Sequence, residues 1–421
     1  MRKTGIILAV MLLGAMGLPA AGQGDPRGQG PQRGLGLEQL LPWLRQQPQQ
    51  RGQQDPRQQD RSGAVAEALG LRNRFEWEYD ADFQYWFDNR EFAASWDDPL
   101  PSKTLNAVVF TPAVGFSVAQ TPRVTHRLRL GIEYAHDMGS ADWEELAREV
   151  IVYYDGHVRT RGGTFEGLAG VFPRRYTEGA YSEAFYSDEF LFLDRNLEGV
   201  LLKWRASRFF AELGCDWMGQ KGVERKERFQ VFTAGEWQAA RWLSLGWTGS
   251  LYHYAGSVKA PGVVDNHLLE PWIKADFSRG TRWQELSLQA GALVSYQRDR
   301  ARTHDVLLPW GGELVATVRR WNVALRNTVY YGDNLLPLYA GRDTGGNLYG
   351  SMLYFGQPLY TGFYDRVEAS WEPEIARYVS LKLAARAHFG QAGFYGWQQQ
   401  FGLVFDLDAL RNPGQSSGRC R

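Results

Sequence analysis

The sequence predicts an all-β fold: a closed antiparallel transmembrane β-barrel of about sixteen strands (range about 14 to 18) in up-and-down order. Three observations carry that expectation. Apolar and polar residues alternate one by one along most of the chain, the connections between these stretches alternate between long and short, and the chain opens on an export signal. Composition removes the competing classes. The 421 residues are 44% hydrophobic and 14% aromatic, yet mean hydropathy is -0.41. After Leu18 no apolar run approaches the roughly 20 residues that a membrane helix needs. A disordered chain would be poor in aromatic residues, and 47 Lys plus Arg against 47 Asp plus Glu give no net field toward nucleic acid.

Residues 1–22 read as a signal peptide: Arg2 and Lys3, an apolar stretch from Gly5 to Leu18, then the small residues Ala20, Ala21 and Gly22. No cysteine follows them, so no lipid anchor is expected. Residues 23–72 form a flexible periplasmic tail rich in Gln, Arg and Pro, because so few apolar side chains cannot offset the entropy of ordering. Only Leu35–Leu44, around Trp43, could make a short amphipathic turn. Cys215 and Cys420 are too far apart to suggest a disulfide framework, and both are expected unpaired.

The barrel is expected over residues 73–408, with a periplasmic tail at 409–421. In the first strand Phe75, Trp77, Tyr79, Ala81, Phe83 and Tyr85 alternate with Glu76, Glu78, Asp80, Asp82 and Gln84. Successive side chains of a strand point to opposite faces, so one face is aromatic and the other charged. The same period continues through Leu128, Leu130, Ile132 and Tyr134, through Leu286 to Tyr296, and through Leu381 to Phe389. Long connections at 89–103, 137–148, 174–196, 218–224, 255–262, 299–309 and 332–359 alternate with short ones. The short turns fall at Thr121-Pro122-Arg123, Arg161-Gly162-Gly163, Ala206-Ser207, Ala239-Ala240, Ser278-Arg279-Gly280, Arg319-Arg320 and Pro373-Glu374-Ile375. Only the last hairpin, Gln391-Ala392-Gly393, is short where a long one is due. Short turns on the periplasmic side and longer outside loops are the pattern of outer-membrane barrels, and closure removes the unpaired strand edges that lipid forbids. Tyr85, Trp86, Phe87, Tyr252 and Tyr254 near strand ends suit an interfacial aromatic girdle.

Several stretches carry a resemblance: Phe87-Asp88-Asn89-Arg90-Glu91-Phe92, Gly170-Val171-Phe172-Pro173-Arg174, Phe185-Tyr186-Ser187-Asp188 leading into Asn196-Leu197-Glu198-Gly199, and Asp216-Trp217 followed by Arg225-Lys226-Glu227-Arg228-Phe229. In these, residues 75–250 resemble outer-membrane β-barrel proteins common in Bacteroidetes, a group of unassigned, porin-like function. The resemblance implies an outer-membrane location more than an activity. In architecture the chain is similar to sixteen-stranded general porins, but it does not end on an aromatic residue. Recognition by the barrel assembly machinery would then fall to Phe401, Leu403 and Phe405.

With the aromatic face toward lipid, Glu76, Glu78, Asp80, Asp82, Arg127, Arg129, Glu133, Arg174 and Arg175 are expected to line a lumen. Glu178, Glu183, Asp188, Glu189 and Asp194 crowd the connection 174–196, which is expected to fold inward and narrow the pore against Arg127, Arg129, Arg174 and Arg175. The function expected on this basis is a porin-like channel for passive diffusion of small polar solutes. The competing expectation is a plugged barrel that captures a ligand such as a glycan with Tyr339, Tyr349, Tyr354 and Phe355 of the 332–359 loop. A hydrolase is the weakest class. His136-Asp137 and His304-Asp305 lie in rim loops, and His253 or His388 could meet a serine, yet no spacing singles out a base. Asp97-Asp98 and Asp188-Glu189 offer oxygen ligands for Ca²⁺, but no CxxC or HExxH occurs. The chain is therefore expected to be no enzyme and to need no metal or cofactor. Its expected partners are outer-membrane lipid, the assembly machinery and small solutes, without nucleic acid; homo-oligomerisation is left open.

Overall fold

The computed structural model describes residues 74–93, 102–139 and 147–407. The expected leader, the 23–72 tail with its Leu35–Leu44 patch, Asp97-Asp98 and the 409–421 tail lie outside the described residues. The remainder forms a closed 16-strand antiparallel barrel. The strands are β1 (Arg74–Phe92), β2 (Lys103–Thr121), β3 (Val124–Asp137), β4 (Ala147–Thr160), β5 (Gly163–Pro173), β6 (Asn196–Arg205), β7 (Phe209–Gly219) and β8 (Glu227–Ala240). They continue as β9 (Leu243–Gly256), β10 (Pro261–Asp276), β11 (Glu285–Asp299), β12 (Trp310–Arg320), β13 (Val323–Gly332), β14 (Gly362–Trp371), β15 (Val379–Gly390) and β16 (Gly393–Asp406). Each strand pairs with its sequence neighbour, and β1 closes on β16 from Asp82 opposite Asp406 to Phe92 opposite Gly396.

The period-two pattern sorts the faces as expected. Phe75, Trp77 and Tyr79 are 50%, 75% and 66% exposed and point outward, while Asp80, Asp82, Asp88 and Arg90 on the alternate positions are buried inside. The termini of the barrel and the short turns lie at one end, and the long connections at the other.

Two expectations fail locally. Tyr252 and Tyr254 are not girdle residues: both are 1% exposed and point into the barrel. Trp86 also turns inward and stacks on Phe192 at 4.2 Å, leaving Tyr85 on the outside against Phe401. Three short turns lie further along than the sequence suggests, at 241–242, 321–322 and 377–378. The physical reason is clearest at Trp321-Asn322, where both residues have positive φ (53° and 63°), the geometry of the two-residue type I′ hairpin. Tryptophan is a poor turn former, so the sequence shifts the expected turn toward Arg319-Arg320. The barrel nevertheless leaves Trp321 73% exposed at the short-turn rim, and an indole is favoured where such a rim meets a membrane surface.

Candidate active site

The connection after β5 does fold inward. Pro173 ends the strand, and the buried Arg174 guanidinium fixes the turn by bonding Asp216 at 2.7 Å and Asp194 at 2.9 Å. Ser187 then caps α1 (Asp188–Leu193), accepting from the Phe190 N–H at 3.2 Å. The acidic residues of this connection have cationic partners; apart from Asp194 with Arg174, they are not the expected ones. Asp188 accepts from Arg386 at 2.5 Å, Glu189 from Arg90 at 2.5 Å and from Lys103, Glu183 pairs with Arg366, and Glu178 with Lys203 and Arg205. Arg127 and Arg129 instead pair with wall residues: Arg127 with Glu78 at 3.4 Å and Asp155 at 3.3 Å, Arg129 with Glu78 at 3.1 Å and Asp80 at 3.4 Å. Arg175 crosses to Asp82, and Glu133 meets Arg195 and Asn196. Glu76, near the short-turn end, is exposed. Asp188 is held well below the usual carboxylate range: burial alone would raise it, but Arg386 and Lys382 outweigh burial.

The 333–361 connection, with α2 (Gly350–Leu353), packs beside it. Tyr349, Tyr354 and Phe355 are buried at 3%, 7% and 7% exposure, in one cluster with Phe185, Tyr186, Tyr252 and Tyr254. Ser187 N–H donates to Phe355 O at 2.8 Å, and Phe190 stacks on Phe355 at 4.6 Å. These aromatics fill the long-loop half of the barrel and are not an exposed surface for sugars. Beneath them a cavity of about 1570 Å³ extends toward the short-turn end, lined by Arg123, Arg127, His157, Glu166, Arg241 and Lys274 among others.

A hydrolase needs a base, and the histidines divide by face and depth. His388 is fully buried against the Tyr364 hydroxyl at 3.0 Å. Neither it nor His253 has a serine among its hydrogen-bond partners in the described residues, so the Ser–His dyad is not formed. His304 sits in a rim loop with φ of 59°, and His136 lies on the outward parity of β3. His157 Nε2 is 3.0 Å from Asp155 and 3.9 Å from Glu166 inside the lumen, near the short-turn end, with Arg127 at 3.3 Å.

His126, like His136, has the outward parity of β3 and meets the Tyr154 hydroxyl at 2.6 Å, and the last two, His253 and His267, face lipid at the long-loop end. Register places Trp217 opposite Phe229, Phe229 opposite His253, His253 opposite Asp265 and Asp265 opposite Arg298. This is one row across β7 to β11, a single residue per strand. Directly opposed side chains lie about 4.5–5.5 Å apart at Cβ. Trp217 stacks on Phe229 at 5.2 Å, and Phe229 meets His253 at 4.9 Å. Asp265, 4% exposed, accepts from Arg300 at 2.7 Å, and His267 stacks on Tyr296 at 5.6 Å. Outward neighbours nearer the membrane centre are apolar, with Leu251 55% and Leu269 49% exposed. The row therefore lies at the long-loop edge of the apolar outer wall. It brings an imidazole, a carboxylate and two guanidiniums together on an otherwise greasy wall. Sequence reasoning missed it because the five residues are spread over strands β7 to β11; their signal was that three of them, His253, Asp265 and Arg298, are polar at positions whose parity is lipid-facing.

Residues 75–409 match the family model described as Lipid A 3'-O-deacylase-type. No curated protein matches. Among solved structures, the chain is similar to a mutant porin of Rhodopseudomonas blastica at 13% identity, covering 79% of this chain and 100% of that one with a TM-score of 0.41. It is also similar to a loop-deletion mutant of OmpT, an outer membrane protein of Vibrio cholerae, at 10% identity, covering 79% and 99% with a TM-score of 0.47. The family match overturns two expectations. A deacylase family is a family of enzymes, so neither a passive porin-like channel nor a chain without enzymatic activity stands.

Proposed function

This chain belongs to the Lipid A 3'-O-deacylase-type family, and on that premise we propose that it is an outer-membrane hydrolase that cleaves the ester-linked acyl chain at the 3' position of lipid A. The observation that carries the reading is the extent of the match, which spans the barrel from its first strand to its last. Physical chemistry adds where the reaction would take place. The acyl esters of a membrane lipid lie at the boundary between hydrocarbon and headgroups, so groups that attack them must face lipid at that depth. The outward row on β8 to β11 meets this requirement.

In this mechanism His253 takes a proton from water, and the hydroxide adds to the ester carbonyl. The carbonyl π electrons move onto oxygen, and the positive field of Arg298 and Arg300 stabilises that oxyanion. Collapse expels the sugar 3'-oxygen, which receives the proton from the His253 imidazolium, and a free fatty acid leaves. Asp265, opposite His253 and fixed by Arg300, orients the ring and stabilises its protonated form. Phe229 and Trp217 hold the acyl chain by contact.

The test is mass spectrometry of lipid A from Gram-negative cells expressing the full chain. Loss of the 3' acyl group with appearance of the free fatty acid is expected. Intact lipid A beside a folded barrel would defeat the reading. Removing a general base costs roughly 10²–10⁴ in rate, so His253→Ala should lose that much while His157→Ala keeps activity. The reverse pattern would move the base to the lumen, a second reading favoured by the 3.0 Å contact of His157 with Asp155. That alternative puts the base at the end of the barrel away from the outer leaflet.

A further inference from the structure

Inside the barrel, away from every residue used above, two glutamates stand almost wholly buried. Glu270 on β10 is 0% exposed and Glu313 on β12 is 3% exposed. They are brought together across β11 by the absence of a side chain. Glu313 sits opposite Gly291, and the Glu270 carboxylate lies over the same glycine, so close that a Cβ there would come within 2.3 Å of Glu270 Oε1. Each carboxylate has one oxygen satisfied by a hydroxyl: Glu270 Oε2 accepts from Thr248 at 3.3 Å and Glu313 Oε2 from Tyr360 at 2.5 Å. The other oxygen of each, Glu270 Oε1 and Glu313 Oε1, has no hydrogen-bond partner among the described residues. Ser182 lies beside Glu270 on the in-folded 174–196 connection. Arg326 faces the same interior, yet among the described residues neither glutamate has a cationic side chain within ion-pair distance.

Two buried carboxylates whose cationic neighbour, Arg326, stands beyond ion-pair distance are costly; the effective penalty is several kcal/mol per ion. Buried polar atoms left unpaired in a native fold therefore call for a partner. The unpartnered atoms of the two glutamates are both carboxylate oxygens, and Ser182 and Glu313 also line the cavity, from which water can complete a coordination shell. Oxygen-only sets of this kind suit hard divalent cations and not zinc. We propose that Glu270 and Glu313, with the Ser182 hydroxyl, hold one divalent cation of the Ca²⁺, Mg²⁺ or Mn²⁺ class at the floor of the lumen. Because Ser182 belongs to the in-folded connection, the cation would tie that connection to β10 and β12. The site is independent of the hydrolytic reading, and its failure would leave that reading intact.

The test uses the purified full chain, folded in detergent and stripped with chelator, then titrated with Mn²⁺ and followed by the loss of free-ion electron paramagnetic resonance signal. One Mn²⁺ held per barrel, displaced by excess Ca²⁺, is expected. Glu270→Gln/Glu313→Gln should abolish retention, Gly291→Ala should weaken it at least tenfold by pushing against Glu270, and His157→Ala should leave it unchanged. Glutamine keeps the shape while removing the buried charge, so the double variant is expected to fold; circular dichroism reports whether it does. Absence of a held ion in the unaltered chain overturns the proposal without any variant. Retention by the folded double variant, or loss in His157→Ala, overturns it equally.

Discussion

Arg174 shows how much a single side chain organises. Its guanidinium bonds Asp216 on β7, Asp194 in the connection and two backbone carbonyls, and lies 4.9 Å over the Phe190 ring. Arg174→Ala would leave Asp216, 2% exposed, as an unpaired charge beneath the surface, and breaking such a pair costs about 3–5 kcal/mol. Denaturant unfolding of the purified barrel should show that loss, and Arg174→Met/Asp216→Leu should recover much of it. In the sequence His253 stands out among seven histidines only as one of two that could meet a serine. Its lipid-facing parity follows from Leu251 beside it. Its pairing with Asp265 does not, since that depends on the register between β9 and β10, which includes a bulge between Pro261 and Val264. A bulge shifts register by one residue, and no sequence pattern announces it there.

Among the elements, the two in-folded connections stabilise each other. Gly356 permits their closest approach: a Cβ there would sit 2.0 Å from Ala184 O. Gly356→Ala should therefore push the connections apart, at a cost of roughly 1–3 kcal/mol, read as lower melting temperature and faster proteolysis within 333–361. A second handle is electrostatic. Burial alone would raise the Asp343 carboxyl, but hydrogen bonds from Asn347 and Lys226 outweigh it and hold the group at about 2. A carboxyl depressed in the folded state stabilises above its unfolded value of about 3.9 and loses that contribution as pH falls through its folded value. Protection of 333–361 from an acid-active protease should thus persist at pH 4 and decline toward pH 2, and Asp343→Asn should flatten that profile. The sequence announces the strands through their alternation, and the inward fold of 174–196 through its acidic residues. The fate of 333–361 was harder to see, because buried aromatics among glycines look the same as exposed ones until the wall they pack against is known.

At the scale of the whole barrel, filling the long-loop half means that sixteen strands do not make an open pore. In planar bilayers the full chain should show no porin-scale conductance, and deleting 335–359 should produce it. Conductance of general-porin size from the intact chain would contradict the packing. The fold class was legible because period and connection length both reported it. The activity was not, because the candidate catalytic groups are recruited one per strand and share no local motif.

Helix α1 also bears on how the barrel is made. Glu189 holds Arg90 on β1 and Lys103 on β2, while the adjacent Asp188 holds Arg386 on β15 and Gln400 on β16. One short helix thereby straddles the seam where the first strand meets the last, the final joint to form in any closing cylinder. A seam zipped two residues out of step would strand one of these carboxylates beside no cation. The helix works as a gauge for assembly: it lets the cylinder close in one alignment and penalises the neighbouring ones, from inside, before the last hydrogen bonds are made.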